Sequence, residues 1–506
     1  MSVVVKAVIG WPSPADLLSA LNGARGIFFL DSAWPSRTNA MYSFIGFNPF
    51  LTVRASPDGV AVENFREPCE VTKQAGPPTL ILDVLREQLK RFRSAPHPEI
   101  PFTGGAVGYF SYELGAAWEK VKPREKLETG ETPEVGESLW AEFSFYDGLL
   151  AFAHRTSQWF CVANSCGGRD ATAIVDELTR VVSHALQMNG PATPIRPTFG
   201  HGTVETTSTR EAYIKAVSAV KEYIAAGDVY QVNIAHVFSG KWQGGGPALY
   251  ARLRSQTPAP FGAFLMRHDG YLLSSSPESF LRLRGDVLET RPIKGTRARG
   301  GSFDDERQIT ELTSSAKERA ELLMIVDLER NDLARVCRPG SIEVSELYGV
   351  ETHPTVFHLV ATVRGKLLPA KDVFDAVRVM FPGGSITGAP KIRAMQIIRE
   401  LESVARGPYT GAIGYFGFDG SADLNIAIRT IVLKGEDVSY HVGAGIVWDS
   451  HPESEYEETL AKGRALRTAI ESGGASDNPH LGQTFAEDAD VNDGGEPALK
   501  IKEDRR

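Results

Sequence analysis

Two short runs hold the carboxylates best placed to act together. Lys317-Glu-Arg-Ala-Glu-Leu-Leu-Met and Ser454-Glu-Tyr-Glu-Glu-Thr-Leu-Ala-Lys each read as helical. Glu318 and Glu321 stand three apart and share a helix face. Glu455 and Glu458 repeat that spacing, with Lys462 one turn further along. Four carboxylates on two helices could hold a hard cation such as Mg2+ through oxygen. A structural role fits the same pattern. Ser315-x-x-Glu318 and Ser454-x-x-Glu457 match capping boxes, and acids in a first turn suit the helix dipole. Spacing alone leaves both open.

Three further features could carry chemistry. Phe381-Pro-Gly-Gly-Ser-Ile-Thr-Gly-Ala-Pro-Lys is a glycine-rich loop before a helix start, a place suited to an anion and equally to a tight structural turn. It is not a nucleotide P-loop, because Lys391 follows a proline and the Gly-x4-Gly-Lys spacing is absent. In Arg291-Pro-Ile-Lys-Gly-Thr-Arg, Lys294 could be a nucleophile if its pKa were lowered; otherwise it is a solvated lysine. His358 lies in an apolar run, where a hydrogen-bonded structural histidine is the plainer reading. No Gly-x-Ser-x-Gly or Gly-x-Cys-x-Gly nucleophile elbow is present, so a built-in cysteine glutaminase is not expected.

The elements that must position these residues are partly legible. Ser208 and Glu211 predict a capping box, and Tyr213, Ile214, Val217, Val220 and Ile224 repeat at helical spacing up to a stop at Gly227. Residues 229–238 read as a strand. Tyr230, Val232, Ile234 and His236 form its core face, and Val229, Gln231, Asn233 and Ala235 form a face whose amides could meet a site. Residues 280–284 and 287–291 flank Gly285-Asp286 as a hairpin with a type II′ turn, which sets Arg282 opposite Glu289 and brings the backbones of Glu278 and Lys294 together. Residues 409–418, 424–433 and 438–447 read as an antiparallel meander. Phe102-Thr-Gly-Gly-Ala-Val-Gly-Tyr-Phe echoes Tyr409-Thr-Gly-Ala-Ile-Gly-Tyr-Phe, which suggests a duplicated sheet unit. Helices with mostly antiparallel strands indicate an α+β fold.

Composition bounds the rest. The chain has 506 residues and a net charge of −9, so nucleic acid is not a default partner. Four cysteines (Cys69, Cys161, Cys166, Cys337) are too few for a disulfide framework and read as free thiols. No secretory leader and no membrane-length apolar run are present, so a cytoplasmic protein is expected. Residues 189–202 read as a linker between residues 1–190 and a catalytic region 203–471. The acidic, glycine-rich tail 472–506 cannot bury enough surface to offset its ordering entropy and is expected to be disordered.

Taken jointly, residues from about 208 to 470 resemble the chorismate-utilising enzymes, which include anthranilate, aminodeoxychorismate, isochorismate and salicylate synthases. The resemblance rests on Gly-Asp-Val-Tyr-Gln-Val-Asn (227–233), Ser-Ser-Pro-Glu (275–278), Pro-Ile-Lys-Gly-Thr-Arg (292–297) and Ala-Glu-Leu-Leu-Met-Ile-Val-Asp-Leu-Glu-Arg-Asn-Asp-Leu (320–333). It also rests on the 381–391 loop, the 409–429 segment, Gly-Ala-Gly (443–445) and Ser-Glu-Tyr-Glu-Glu-Thr (454–459).

The resemblance implies two large, mostly antiparallel sheets packed as a sandwich with helices outside. It implies Mg2+ held by Glu321 and Glu458, with Glu318 and Glu455 assisting through water. Arg429 and Tyr409 would hold the enolpyruvyl carboxylate of chorismate. Gly295, Thr296, Gly443, Ala444, Gly445 and Lys462 would complete an anion cradle. Lys294 would be the nucleophile, with Glu278 a proton donor. His358 matches a histidine linked to pyruvate elimination in anthranilate formation. In the N-terminal part, Phe29-Leu-Asp-Ser and Tyr42-Ser-Phe-Ile-Gly resemble strands of a tryptophan pocket in relatives. That places Ser32, Tyr42, Ser43, Phe44, Pro260 and Phe261 around a candidate tryptophan ligand, or simply in a core.

The resemblance also discriminates among reactions. Relatives that add water carry a lysine base where this chain has Gln231, so ammonia is the expected nucleophile. Anthranilate synthases typically carry alanine where this chain has Lys294, which favours the aminodeoxychorismate-forming members. Anthranilate formation is the enzymatic alternative. A catalytically idle tryptophan-binding subunit is the alternative of another class, against which the intact carboxylates, Arg429 and Lys294 argue. The ammonia is expected from a separate glutamine amidotransferase subunit or from free ammonia.

Overall fold

The two stretches that echo each other in sequence lie side by side. Strand Gly105–Phe110 pairs antiparallel with strand Ala412–Gly417, and Gly108 faces Gly414. Alternation along both strands decides what each face covers. Val107, Tyr109, Ile413 and Tyr415 point into the layer between two sheets. Ala106, Phe110, Ala412 and Phe416 point into a layer shared with helices. Strands buried on both faces read as unbroken apolar runs, and these do.

This computed structural model describes residues 2–21, 23–34, 41–66, 70–74, 76–121, 139–166, 168–188, 200–300 and 302–471. Two 12-stranded antiparallel sheets form its centre, each a path of eleven strands with one more beside it: Gly388–Ala389 pairs with Gln231–Gln243 in the first, and Glu343–Thr352 with Val356–Lys366 in the second. Along the first sheet the strand order is Val3–Val8, Gln158–Asn164, Gly148–Ala153, Tyr42–Gly46, Phe28–Asp31, Phe261–Arg267, Gly270–Ser276, Thr430–Lys434, Asp437–Ile446, Gln231–Gln243 and His201–Thr206. Along the second it is Ile293–Ala298, Val356–Lys366, Val287–Arg291, Ser279–Arg284, Ala422–Ile426, Ala412–Gly417, Gly105–Phe110, Ala141–Tyr146, Leu51–Ser56, Gly59–Asn64 and Glu70–Gln74. Residues before 190 therefore build one half of each sheet.

Helices cover both outer faces. Leu17, Ile174, Leu249 and Leu466 from four helices pack on the first sheet, and Leu85, Leu322, Val326 and Phe374 pack on the second. The result is the α+β sandwich of helix, sheet, sheet and helix that the resemblance implied.

Several local readings shift. Helix Arg210–Ala225 is capped by Thr209, not Ser208; the Thr209 hydroxyl accepts the Ala212 N–H at 3.1 Å. Its end is as read. Gly227 takes φ +82°, its N–H reaches the Ile224 carbonyl, and the Asp228 N–H reaches the Tyr223 carbonyl. Ser315 does cap helix Ala316–Ala334, accepting the Glu318 N–H. Ser454 does not cap; helix Pro452–Glu471 starts two residues earlier, with proline in its first turn. Tyr230 precedes strand Gln231–Gln243 and is exposed, while Val232, Ile234 and His236 are core as read. The hairpin turn puts Gly285 at φ +60°, and Arg282 faces Glu289. A bulge between Ser279 and Arg282 then shifts the register.

The largest correction concerns residues 424–433. They are not one strand of a meander. Ala422–Ile426 belongs to the second sheet and Thr430–Lys434 to the first, so the chain changes sheets at residues 427–429. It makes the opposite change at Pro277 and Glu278, between Gly270–Ser276 and Ser279–Arg284. Periodicity cannot reveal such a switch, because alternation continues through it.

Cys161 and Cys337 are free and buried, and Cys166 is buried as well. Cys69, residues 189–199 of the expected linker and the 472–506 tail lie outside the described residues, and residues 201–202 open strand His201–Thr206. No described helix is long and apolar enough to cross a membrane.

Phe110 links the two helix-side elements. Its ring packs against Phe143, Trp118, Phe381 and Phe416 and is fully buried. Phe110→Ala is expected to cost about 3–5 kcal/mol of stability, read as a lowered urea midpoint; an unchanged midpoint would mean that the layer repacks without loss.

Candidate active site

The two sheet changes lie against each other. The Ser275 N–H donates to the Arg429 carbonyl at 3.1 Å, the Ile426 N–H donates to the Glu278 carbonyl at 3.0 Å, and the Ser276 hydroxyl donates to the Ile426 carbonyl at 2.6 Å. Glu278 and Arg429 are thereby fixed at one junction. Arg429 adopts φ +50°, a left-handed conformation unusual for a residue other than glycine and held here by those bonds. Beyond Arg429, strands Thr430–Lys434 and Asp437–Ile446 pair only as far as Tyr440. They part where Gly443, Ala444 and Gly445 follow.

Lys294 enters from the second sheet. Strand Ile293–Ala298 pairs with Val356–Lys366, setting Lys294 opposite Leu359 and Thr296 opposite His358. The Lys294 amine donates to the Ser385 carbonyl at 3.1 Å. A Cβ placed on Gly445 would stand 3.2 Å from Gln231 Nε2 and 3.7 Å from Lys294 Nζ, so these three positions meet. Gln231 is fully buried, and neither its amide oxygen nor its nitrogen has a partner. Asn233, on the same strand face, leaves its Oδ1 unpartnered beside Gly443 and the Tyr409 hydroxyl. A buried polar atom without a partner is costly unless a ligand supplies one.

Electrostatics set the site apart. Burial pushes the Lys294 amine down from its ordinary value, against the pull of Glu321 and Glu278. Burial pushes the Glu278 carboxyl up, partly offset by the Ser385 hydroxyl and Lys294. Burial lowers the Arg429 guanidinium, with Glu278 acting the other way. Among the described residues neither Lys294 nor Arg429 forms an ion pair; Arg429 reaches only the Thr257 hydroxyl at 3.5 Å. A sequestered guanidinium without a carboxylate partner calls for an anion.

His358 is neutral, held well below its ordinary value by burial and then by Arg429 and His353. Its Nδ1 lies 3.0 Å from Thr296 Oγ1. Tyr409 stacks on His441 with ring centroids 5.3 Å apart.

The four carboxylates stand on helices Ala316–Ala334 and Pro452–Glu471, but the expected cage is not assembled. Among the described residues no three acidic, histidine or cysteine side chains converge as a cation site. Protein cations take their oxygens instead. Arg297 holds Glu318 at 2.6 Å, Lys317 stands 3.9 Å from Glu321, and Lys462 holds Glu458 at 2.7 Å. Lys462 also donates to the Gly443 carbonyl at 3.1 Å, so it ties helix to strand rather than standing free.

The donor set still fits a hard cation. It is all oxygen, Glu318 Oε2 is buried without a partner, and burial raises Glu321 and Glu455, with Glu458 adding to both. Gly295 is required there: its φ is +79°, and a Cβ would come within 3.0 Å of the Glu318 carboxyl carbon.

The 381–391 loop is a structural turn. Lys391 is buried and donates to Asp332 at 2.5 Å and to the Met380 carbonyl at 2.8 Å. The loop contributes the Ser385 carbonyl to Lys294, a main-chain group that no sequence motif announces.

Most of the residues expected around tryptophan line a separate cavity of about 290 Å³ between the sheets. Ser32, Tyr42, Phe44, Pro260 and Phe261 line it, with Arg282, Tyr415 and Asn425 from the second sheet. Ser43 does not line it; its hydroxyl turns to His154 at 2.8 Å and accepts the Ser32 N–H at 3.0 Å.

Fold and site together define a two-sheet α+β enzyme that receives a small polyanion. The family profile described as chorismate binding enzyme matches residues 48–468. Aminodeoxychorismate synthase component 1 of Bacillus subtilis is 36% identical over 448 residues, covering 86% of this chain and 90% of that one. Anthranilate synthase component 1 of Haloarcula marismortui is 39% identical over 383 residues, covering 74% and 77%. The crystal structure of anthranilate synthase component I from Streptococcus pneumoniae matches with a TM-score of 0.73 at 28% identity, covering 86% of this chain and 93% of that one. The chain belongs to the chorismate-binding enzyme family and acts on chorismate.

Lys391→Met removes the cation from the Asp332 pair. Breaking a buried pair from one side costs about 3–5 kcal/mol. The variant is expected to unfold at lower urea and to recover part of the loss when Asp332→Asn is added. Equal stability of Lys391→Met and the parent would contradict the pairing.

Proposed function

We propose that the chain is the aminating component of an aminodeoxychorismate synthase, replacing the C4 hydroxyl of chorismate with an amine to give 4-amino-4-deoxychorismate for 4-aminobenzoate and folate synthesis. The observation that carries this is the Lys294 amine: buried, lowered, bonded to a neutral carbonyl and set near Glu278. A lysine so placed can be neutral and nucleophilic near pH 7.

Arg429 receives the enolpyruvyl carboxylate by charge-assisted hydrogen bonds, with Tyr409 beside it. Thr296 and the Gly443–Gly445 edge, with Gly295, bound the ring. Lys294 Nζ forms a bond to C2 as both double bonds of the ring diene shift by one position and the C4–oxygen bond breaks. Glu278, whose burial favours the protonated form, gives its proton to the departing hydroxyl, which leaves as water. Ammonia then bonds to C4, both double bonds return to their original places, and the C2–nitrogen bond breaks to release Lys294. Gln231 favours ammonia here, because a neutral amide cannot take the proton that an attacking water must lose.

Glu321 and Glu458, with Glu318 and Glu455 behind them, would hold Mg2+ at the ring carboxylate. The ion would neutralise that carboxylate and fix its orientation. Arg297, Lys317 and Lys462 then have to release their carboxylates. Ammonia comes from a separate glutamine amidotransferase, as the component 1 naming of relatives suggests. The 290 Å³ cavity is the place for tryptophan.

Anthranilate formation is the second reading, favoured by His358 beside Thr296 and by relatives of that activity at equal identity. Incubation with chorismate, Mg2+ and ammonium separates the two. An aminated product that keeps its enolpyruvyl group is expected; anthranilate with pyruvate would establish the alternative.

Lys294→Ala is expected to retain chorismate binding and lose amination by about 10²-fold or more, the scale of a lost reacting group. Full ammonia-dependent turnover would exclude the covalent route. Glu458→Gln is expected to weaken Mg2+ binding in the presence of chorismate, read by calorimetry as well as by turnover. An unchanged Mg2+ affinity would remove Glu458 from the ion's ligands.

A further inference from the structure

Behind the reacting lysine lies a carboxyl that the chemistry above does not use. Glu329, on helix Ala316–Ala334, is buried to 3% exposure. Its Oε1 accepts the Gly384 N–H at 3.3 Å, and its Oε2 is buried without a partner. The following residue, Ser385, offers its carbonyl to the Lys294 amine. A Cβ on Gly384 would come within 2.3 Å of Leu328, so the turn is pressed onto this helix.

We propose that Glu329 is a positioning residue for Lys294: as a neutral acid it fixes the Gly384–Ser385 turn from behind, and through the Ser385 carbonyl it sets where the amine stands. This rests on the reading of Lys294 as the reacting group.

Counterions argue for the neutral form. Three titratable groups face Glu329: Asp332 from its own helix, Lys391 from helix Lys391–Leu401, and Glu278 from the sheet junction. Lys391 is the single cation among them, and its amine is already spent on Asp332 and the Met380 and Val379 carbonyls. A charge on Glu329 would be desolvated and repelled by Asp332, against a pull from Lys391, whose amine is shared with Asp332, and from the Gly384 N–H. Burial, then Asp332, accordingly push the carboxyl up to about 8.

The sign follows. Below about pH 8 the proton is held and the turn is set. Above it the carboxylate draws the Gly384 N–H more strongly but must also be solvated in a buried site, and the turn that sets the Ser385 carbonyl and Lys294 shifts. A misplacement of about 1 Å can cost about 10²-fold in rate.

The test is the pH profile of kcat for ammonia-dependent turnover of chorismate by the full chain, compared across the parent, Glu329→Gln and Glu329→Ala. Glu329→Gln keeps the shape and an acceptor for Gly384 but cannot ionise. It is expected to hold kcat within about threefold of the parent at pH 7 and to lose the alkaline fall near pH 8. Glu329→Ala is expected to lower kcat by about 30-fold or more with KM little changed. An alkaline fall that persists in Glu329→Gln, or a Glu329→Ala variant with parental kcat, would overturn the inference. If Glu329→Ala does not fold, the Glu329→Gln profile decides. Absence of any chorismate turnover in the parent would instead overturn the proposed function.

Discussion

The site depends on one constraint of the fold: two strands leave one sheet and join the other at the same place. Pro277 and Glu278 carry the chain from the first sheet to the second, and residues 427–429 carry it back. Main-chain bonds between Ser275 and Arg429 and between Ile426 and Glu278 lock the two changes together. A switch point interrupts the ladder, so side chains that would otherwise sit in a layer of Leu, Ile and Phe can be polar. The left-handed backbone at Arg429 is the local cost of holding a guanidinium there.

Charge balance around this junction is arranged by distance from it. Outer carboxylates and cations neutralise one another, as Glu318 does with Arg297 and Glu458 with Lys462. Inner groups do not. Lys294 is lowered and Glu278 raised by burial, and Arg429 has only a hydroxyl within reach. An acidic chain therefore keeps an uncompensated guanidinium at this junction, an arrangement that favours a carboxylate of the substrate. Gln231 and Asn233 add unpartnered amide atoms to the same space, neutral groups that can orient a substrate without competing for its charge.

Much of this was legible in the sequence, for identifiable reasons. Helix faces follow from i, i+3 spacing, so Glu318 with Glu321 and Glu455 with Glu458 were placed on shared faces. The amide face of residues 229–235 follows from strand alternation, and Gln231 does lie against Lys294 and Gly445. The motifs of residues 227–459 carried the family. What stayed hidden depends on three-dimensional partners. The 424–433 run alternates without a break although it spans two sheets. Ser454 has the capping pattern, but Pro452 starts the helix earlier. Ser43 sits among pocket residues in sequence yet bonds away from the cavity toward His154. Glu329 carries no motif of its own, and its place behind the Ser385 carbonyl exists only once the 381–391 turn packs on its helix.

The most direct measurement of the central claim is the intact mass of the protein, quenched while chorismate and Mg2+ are present without ammonia, followed by peptide mapping. If Lys294 attacks C2 with loss of the C4 hydroxyl as water, the protein gains the mass of chorismate less water. The added mass then maps to the peptide that holds Lys294, and ammonium discharges it. Unmodified protein under these conditions, from a preparation that aminates chorismate once ammonium is added, would contradict the role given to Lys294.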